Sequence, residues 1–246
     1  MLDQQQHEYY LKRILRDLVK DPVLNHRLAL KGGTCLYLFY NLPRFSVDLD
    51  FNFLQKPAVE SGLNSQQTSH QNQLVLDKIE QILSKHLDLD NGRFRQGAHG
   101  WLWEASYQPG QRQIQIDIST RRFPDQYQIK QFYGLSIKTL DQGSMFAHKL
   151  CAILDRSRLQ NRDLFDAWFM FEHNFPINQA VIKARTHQDL ATYLNQVRKF
   201  VKTEVNSKTV LQGLGELMDK KLKVWVKQSL KQELLAQLQL KIDSLQ

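Results

Sequence analysis

The stretch Ala29–Phe53, ALKGGTCLYLFYNLPRFSVDLDFNF, puts two carboxylates inside a run that otherwise reads as a buried strand. Its last residues alternate. Leu49, Phe51 and Phe53 take one face of an extended chain, and Asp48, Asp50 and Asn52 take the other. Same-face neighbours on a strand lie roughly 6.7 Å apart. At that spacing two carboxylates can share one or two divalent cations, whose own separation in two-metal sites is about 3.5–4 Å. Without a cation they repel and shift each other's pKa. A solvent-facing strand with two exposed aspartates fits the same pattern, so these residues alone leave both readings open.

Upstream of the strand, Gly32-Gly33-Thr34 opens an apolar segment with helical spacing, in which Leu36, Phe39 and Tyr40 point inward. Paired glycines permit a sharp turn and close approach of a ligand to the backbone. Thr34 is expected to cap the helix, whose first N–H groups would then face an anion such as a phosphate. A plain strand-to-helix turn is the alternative. The turn is not a Walker loop, because no G-x-x-x-x-G-K-[ST] is present.

The chain around this stretch has 246 residues, 42% of them hydrophobic and 10% aromatic, enough for a real core and against disorder. Its net charge of +8 and pI of about 9.4 favour polyanionic partners and say nothing of fold. Cys35 and Cys151 sit in apolar helical patterns, outside any C-x-x-C pair, and read as small buried hydrophobes suited to a reducing cytoplasm. The opening MLDQQQHEYY is too polar for a secretory leader, and no run of about 18 apolar residues predicts a membrane span.

Glu8–Lys20 is predicted as a helix, with Leu11, Ile14, Leu15 and Leu18 on one stripe and Pro22 ending it. Lys56–Gln73 is rich in Ser, Gln, Asn and Gly and reads as a surface loop. Helical spacing resumes over Leu74–His86. Three strands are predicted in GRFRQG, GWLWEASYQ and RQIQIDIST, the last two joined at Gly110, and one more in QIKQFYGLSIKTL. Beyond Asp141 alternation stops, and helices are expected near 142–156, 162–174, 177–203 with a break, 208–219 and 221–241. A sheet half followed by a helical half is an α+β chain, divided as 1–140 and 141–246.

More charged residues fall in these elements. In RQIQIDIST, Ile114, Ile116 and Ile118 share one face and Asp117 takes the other, either as a third carboxylate for a cation site or on a solvated face. In a helix from Asp141, Lys149 lies on the apolar stripe with Met145, Phe146 and Ile153. A lysine there either snorkels to the edge or meets an anion. Asp163 and Asp166 open the next helix, where acidic groups suit the dipole. An i,i+4 pair between Arg162 and Asp166 is a second local explanation, and spacing does not choose between the two aspartates.

Taken in order, LKGGTCLYLFY, RFSVDLDFNF, IQIDIS, FAHKLCAIL and NRDLFDAWFM resemble the AbiEii/AbiGii family of nucleotidyltransferase-like toxins, within the polymerase-beta-type nucleotidyltransferase superfamily. The resemblance implies a mixed sheet flanked by helices, then an α-helical C-terminal domain. It implies that Asp48 and Asp50 hold Mg2+ with Asp117 as the third carboxylate, and that Gly32, Gly33 and Thr34 meet a nucleoside triphosphate. Arg44 and Ser46 fall on the family's Arg-x-Ser-x-Asp pattern, Lys149 on its phosphate-touching lysine, and Asp163 and Asp166 on its Arg-Asp-x-x-Asp segment. Gly33-Thr34 where the superfamily usually has Ser after the first Gly, and FDAW where Tyr-Asp-Leu is more usual, depart from the pattern without removing a charge.

The resemblance further implies a cytoplasmic bacterial toxin of a toxin–antitoxin or phage-defence pair, with a cognate antitoxin as a partner and the 3′ end of tRNA as the acceptor of a nucleotide. A nucleotide-binding module without transfer, and transfer to a small molecule or protein, are the alternatives. From Lys183 to Gln246 there are twelve Lys and Arg against six Asp and Glu, a surplus suited to an RNA backbone.

Overall fold

The computed structural model describes residues 2–54, 65–156 and 158–245. In chain order the elements are α1 (Gln4–Lys20), α2 (Pro22–Arg27), β1 (Leu28–Lys31), α3 (Gly32–Tyr40), β2 (Leu49–Phe53), α4 (Ser65–Leu83), β3 (Asp88–Gly97), β4 (Gly100–Ser106), β5 (Ile114–Ser119), β6 (Tyr127–Phe132) and β7 (Leu135–Leu140). Then come α5 (Gln142–Asp155), α6 (Asn161–Glu172), α7 (Gln179–Thr186), α8 (Leu190–Glu204), a short 3-10 turn at Gly215–Leu217, α9 (Lys220–Gln228) and α10 (Leu230–Asp243). Two compact units result. One contains Met1–Phe39, Ser46–Arg121 and Tyr127–Thr139; the other contains Tyr40–Phe45, Arg122–Gln126 and Leu140–Gln246.

The first unit is built on a sheet of seven strands in the order β3-β4-β5-β2-β1-β7-β6. β1 runs antiparallel to β2 and parallel to β7, β2 is parallel to β5, and β3, β4 and β5 form an antiparallel meander. The sheet is therefore mixed, as expected. One face is apolar: Leu30, Phe51, Trp101, Trp103, Ile116 and Ile118 are all buried. Each such side chain contributes roughly 1.5–3 kcal/mol by leaving water. α4 offers Ile79 and Leu83 to the core, and its Glu80 accepts a hydrogen bond from Trp103 Nε1 at 3.3 Å. α1 buries the predicted Leu11, Ile14, Leu15 and Leu18, and Asp3 caps it through the Gln6 N–H.

Several expectations change in detail. The strand at Leu28–Lys31 is new: four residues leading into two glycines carry too little alternation to be read. The glycine-poor end of the expected loop is helical, because α4 starts at Ser65, while residues 55–64 lie outside the described residues. QIKQFYGLSIKTL forms two strands instead of one, turned at Tyr133 and Gly134, both with positive φ, the geometry of a tight hairpin. Thr34 does not cap α3, which begins at Gly32.

The second unit is helical. Asp141, Asn178, Asp189 and Asp219 cap α5, α7, α8 and α9 by accepting from backbone N–H groups in the first turn. The helix expected over 208–219 is replaced by turns and the 3-10 segment, and the single helix expected over 221–241 breaks at Ser229 into α9 and α10. Lys231, on α10, donates to the carbonyls of Lys202 and Val205 at 2.9 and 2.8 Å, closing the C-terminal end of α8. Both cysteines are free and buried, and burial pushes the thiols up to about 12 for Cys35 and about 11 for Cys151. Neither is a nucleophile at neutral pH. Among the described residues no helix is long and apolar enough to cross a membrane.

Candidate active site

In the first unit, the register decides which charged residues meet. Asp50 pairs with Asp117 across the parallel β2–β5 ladder and with Lys31 across the antiparallel β1–β2 ladder. Residues opposed in register share a face, so Lys31, Asp50 and Asp117 form one row across three strands, on the side away from the apolar core. Neighbouring strands lie about 4.8 Å apart. Two carboxylates so placed would repel unless a cation stood between them. Asp50 is half-buried and Asp117 exposed.

One register step along, Asn52 pairs with Ala29 and Ser119. Its amide is buried and oriented: Lys31 Nζ donates to Oδ1 at 2.8 Å, and Nδ2 donates to Tyr127 Oη at 3.2 Å. Asn52 lies on the polar face that alternation predicts. Lys31 and Tyr127 have no such signal, since the strand carrying Lys31 is too short to show a period and β6 lies far off in sequence.

Gly32 is required where it stands. Its φ is +75°, and a Cβ there would overlap the Asp50 carboxylate. The glycine turn and the acidic strand are therefore packed backbone to side chain. Thr34 joins them a second time. Its hydroxyl donates to the Asp48 carbonyl and lies 3.0 Å from Ser46 Oγ. A hydroxyl has one proton, so with that proton on the carbonyl Thr34 accepts from Ser46. Asp48 itself precedes β2, which begins at Leu49, so its position is set by such side-chain bonds and not by the ladder.

Whether these residues suit a divalent cation follows from their chemistry. Mg2+ keeps several waters and takes one or two carboxylates plus substrate phosphates. The Asp50–Asp117 pair meets that requirement in oxygen donors and in access. Among the described residues, no three or more His, Cys, Asp or Glu side chains are grouped so as to hold a metal ion by themselves. A cation here would depend on water and phosphate for its remaining ligands.

In the second unit, Arg44, Lys149, Asp163 and Asp166 come together. Arg44 grips Asp166 with two bonds, Nε to Oδ1 and Nη2 to Oδ2, each 2.6 Å. Lys149, from α5, reaches Asp166 at 2.7 Å and Asp163 at 3.0 Å on α6. Both aspartates are fully buried, and Arg44 is 3% exposed. Burial disfavours the charge on Asp166, but Arg44 and then Lys149 outweigh it and hold the carboxyl down at about 2. Burial likewise disfavours the charge on Lys149, and Asp166 and Asp163 outweigh it, so its pKa is raised. Arg156 Nε comes within 2.9 Å of Asp163 Oδ2, off the line of a hydrogen bond, so that contact is an ionic one. Lys149 thus meets its anions within the fold, and Asp166 turns to Arg44 and Lys149. Arg44 could be found from sequence only through the family pattern, since 122 positions separate it from Asp166.

Comparison with known proteins agrees with this architecture. The solved structure of a protein from H. pylori described as a nucleotidyltransferase is similar over 100% of this chain and 99% of its own, with a TM-score of 0.60 and 22% identity. That of JHP933 from Helicobacter pylori is similar over 100% and 98%, with a TM-score of 0.54 and 20% identity. At such identities the likeness is one of fold. No curated protein matches the chain. The family described as "Nucleotidyl transferase AbiEii toxin, Type IV TA system" matches residues 13–238, nearly the whole length. The chain belongs to this AbiEii family of type IV toxin–antitoxin systems, and its enzymatic class is nucleotidyltransferase.

Proposed function

We propose that this nucleotidyltransferase moves a nucleoside monophosphate from a nucleoside triphosphate to the 3′ end of tRNA, with Mg2+ bound by Asp50 and Asp117 and by Asp48 beside them. The observation that carries the reading is the opposition of Asp50 and Asp117 in register, with the Gly32 backbone against Asp50. Bound there, Mg2+ supplies the positive charge that lowers the pKa of an acceptor hydroxyl and steadies a departing pyrophosphate. The hydroxyl oxygen attacks the α-phosphorus. The bond from that phosphorus to the oxygen bridging to the β-phosphate breaks, and pyrophosphate leaves. The hydroxyl proton passes to Asp117, exposed on the sheet face. The first N–H groups of α3, at Gly32 and Gly33, receive the triphosphate, and Thr34 and Ser46 hold Asp48 in place. Arg44, Asp163 and Asp166 brace Lys149. Two of its three N–H donors face carboxylates, and Lys149 is the residue of the helical unit that would touch a phosphate.

For the acceptor, support comes from charge. α9 exposes Lys220, Lys221 and Lys227, although Lys231 is turned to the carbonyls that end α8. The family setting adds a cognate antitoxin and a role in phage defence. The test is to incubate the protein with Mg2+, total tRNA and each labelled triphosphate in turn. Label on RNA with one nucleotide is expected. Nucleotide binding with no label on any macromolecule would reduce the protein to a binding module. Changing Lys220, Lys221 and Lys223 to Glu should weaken tRNA binding and flatten its salt dependence while leaving triphosphate binding alone. Unchanged tRNA affinity would point to a small-molecule or protein acceptor.

A further inference from the structure

We propose that His7, on α1, is a positioning residue for Asp48. The inference rests on the functional reading above and extends it to an element with no part in the acidic motif. Residues 45–48 lie outside the sheet, so ladder bonds do not set their peptide planes. Buried carbonyls there must find partners elsewhere. Asp48 O finds Thr34 Oγ1, and Val47 O finds His7 Nε2 at 2.9 Å. Both ends of the Val47–Asp48 step are thereby held by side chains, one from α3 and one from α1.

A carbonyl only accepts, so Nε2 must carry the proton and the tautomer is fixed. His7 is 0% exposed and Val47 2% exposed, so water cannot replace this bond. The ring is held edge-on by Tyr107, with centroids 5.7 Å apart. Without the imidazole, the Val47 carbonyl would turn to seek another donor, and the peptide leading into Asp48 would turn with it. Asp50, fixed by ladders on both sides, would not be moved. His7 is thus an indirect, outer support of the kind whose loss costs about 10–100-fold in metal affinity.

The test uses the full chain and Mn2+ alone as the probe, read by electron paramagnetic resonance, with metal-free melting measured in parallel. Asp50→Asn is the control for the site: Mn2+ binding equal to that of the unsubstituted protein would overturn the site reading and this inference with it. With that control weakened as required, His7→Leu should bind Mn2+ about tenfold more weakly. His7→Gln, whose amide N–H can reach Val47 O, should stay within about twofold. Unchanged Mn2+ affinity in His7→Leu overturns the inference and leaves the site reading standing. Should His7→Leu fail to fold, His7→Asn against His7→Gln decides, because the shorter Asn falls short of the carbonyl. Weaker Mn2+ binding by the Asn variant supports the positioning role, and equal binding by the two overturns it.

Discussion

The two units use the same residue types in opposite ways. On the sheet of the first unit, Asp50 and Asp117 stand opposite each other, half-buried and exposed. Inside the helical unit, Asp163 and Asp166 are fully buried against Arg44 and Lys149. Arg44, Lys149 and Arg156 face these two anions there, with hydrogen bonds that offset the loss of water. In the proposed function, the carboxylates that oppose one another at the accessible face are the ones a cation would join, in a row that also contains Lys31. Removing one partner from the buried group leaves an uncompensated charge. The same residue type thus stands in two different surroundings, one accessible and one closed.

The sharpest way to break this contrast is Asp166→Asn. It leaves Arg44 buried beside a neutral amide and should cost about 3–5 kcal/mol of stability, measured by urea denaturation. A loss below about 1 kcal/mol would mean that the buried network does not brace the unit. Asp50→Asn should do the reverse. Stability should stay within about 0.5 kcal/mol, since Asp50 is only half-buried and the variant removes both a repulsion from Asp117 and an attraction to Lys31. Transfer should fall about a hundredfold or more, beyond the scale of a lost outer-shell partner. Parallel losses of stability and activity in this variant would erase the distinction between the units.

Acid should separate them next. The Asp166 carboxyl is held at about 2, below its ordinary 3.8, so its contribution is present above pH 3.8 and is lost as pH falls through 2. The linked stability is roughly 2 kcal/mol. His7 behaves differently. Burial lowers its pKa, Val47 opposes that, and Arg112 lowers it further. Its neutral form favours the folded state above the ordinary pKa of 6.5, and this support is lost as pH falls below that value. Protection from hydrogen exchange should therefore fall in α1 around His7 at mildly acid pH and in α6 only below pH 3.8. Simultaneous loosening of both would contradict the assignment. The smallest effect is expected at the turn. Gly32→Ala strains a backbone with φ +75° and crowds Asp50, costing about 1–2 kcal/mol and lowering activity with it.

Local pattern alone determines much of this protein. Strict alternation in DLDFNF and IQIDIS sets the faces of β2 and β5, because side chains on a strand alternate whatever surrounds them. The stripe of Leu11, Ile14, Leu15 and Leu18 does the same for α1, and the ordered motifs from Gly32 to Asp166 indicate the family. Only the tertiary structure decides that Asp50 and Asp117 share a register, since the hydrogen bonds pairing two strands 67 positions apart are not encoded in either strand's own alternation. The same holds for Lys149, whose place on an apolar stripe is explained by Asp163 and Asp166 on the next helix and by Arg44 far upstream. It holds for β1 as well, four residues too short to show a period and made a strand by the partners on both sides. A sequence states which groups face outward from an element. Which groups they meet depends on long-range packing, where the energy of burying a charge or a strand edge is settled by partners distant in the chain.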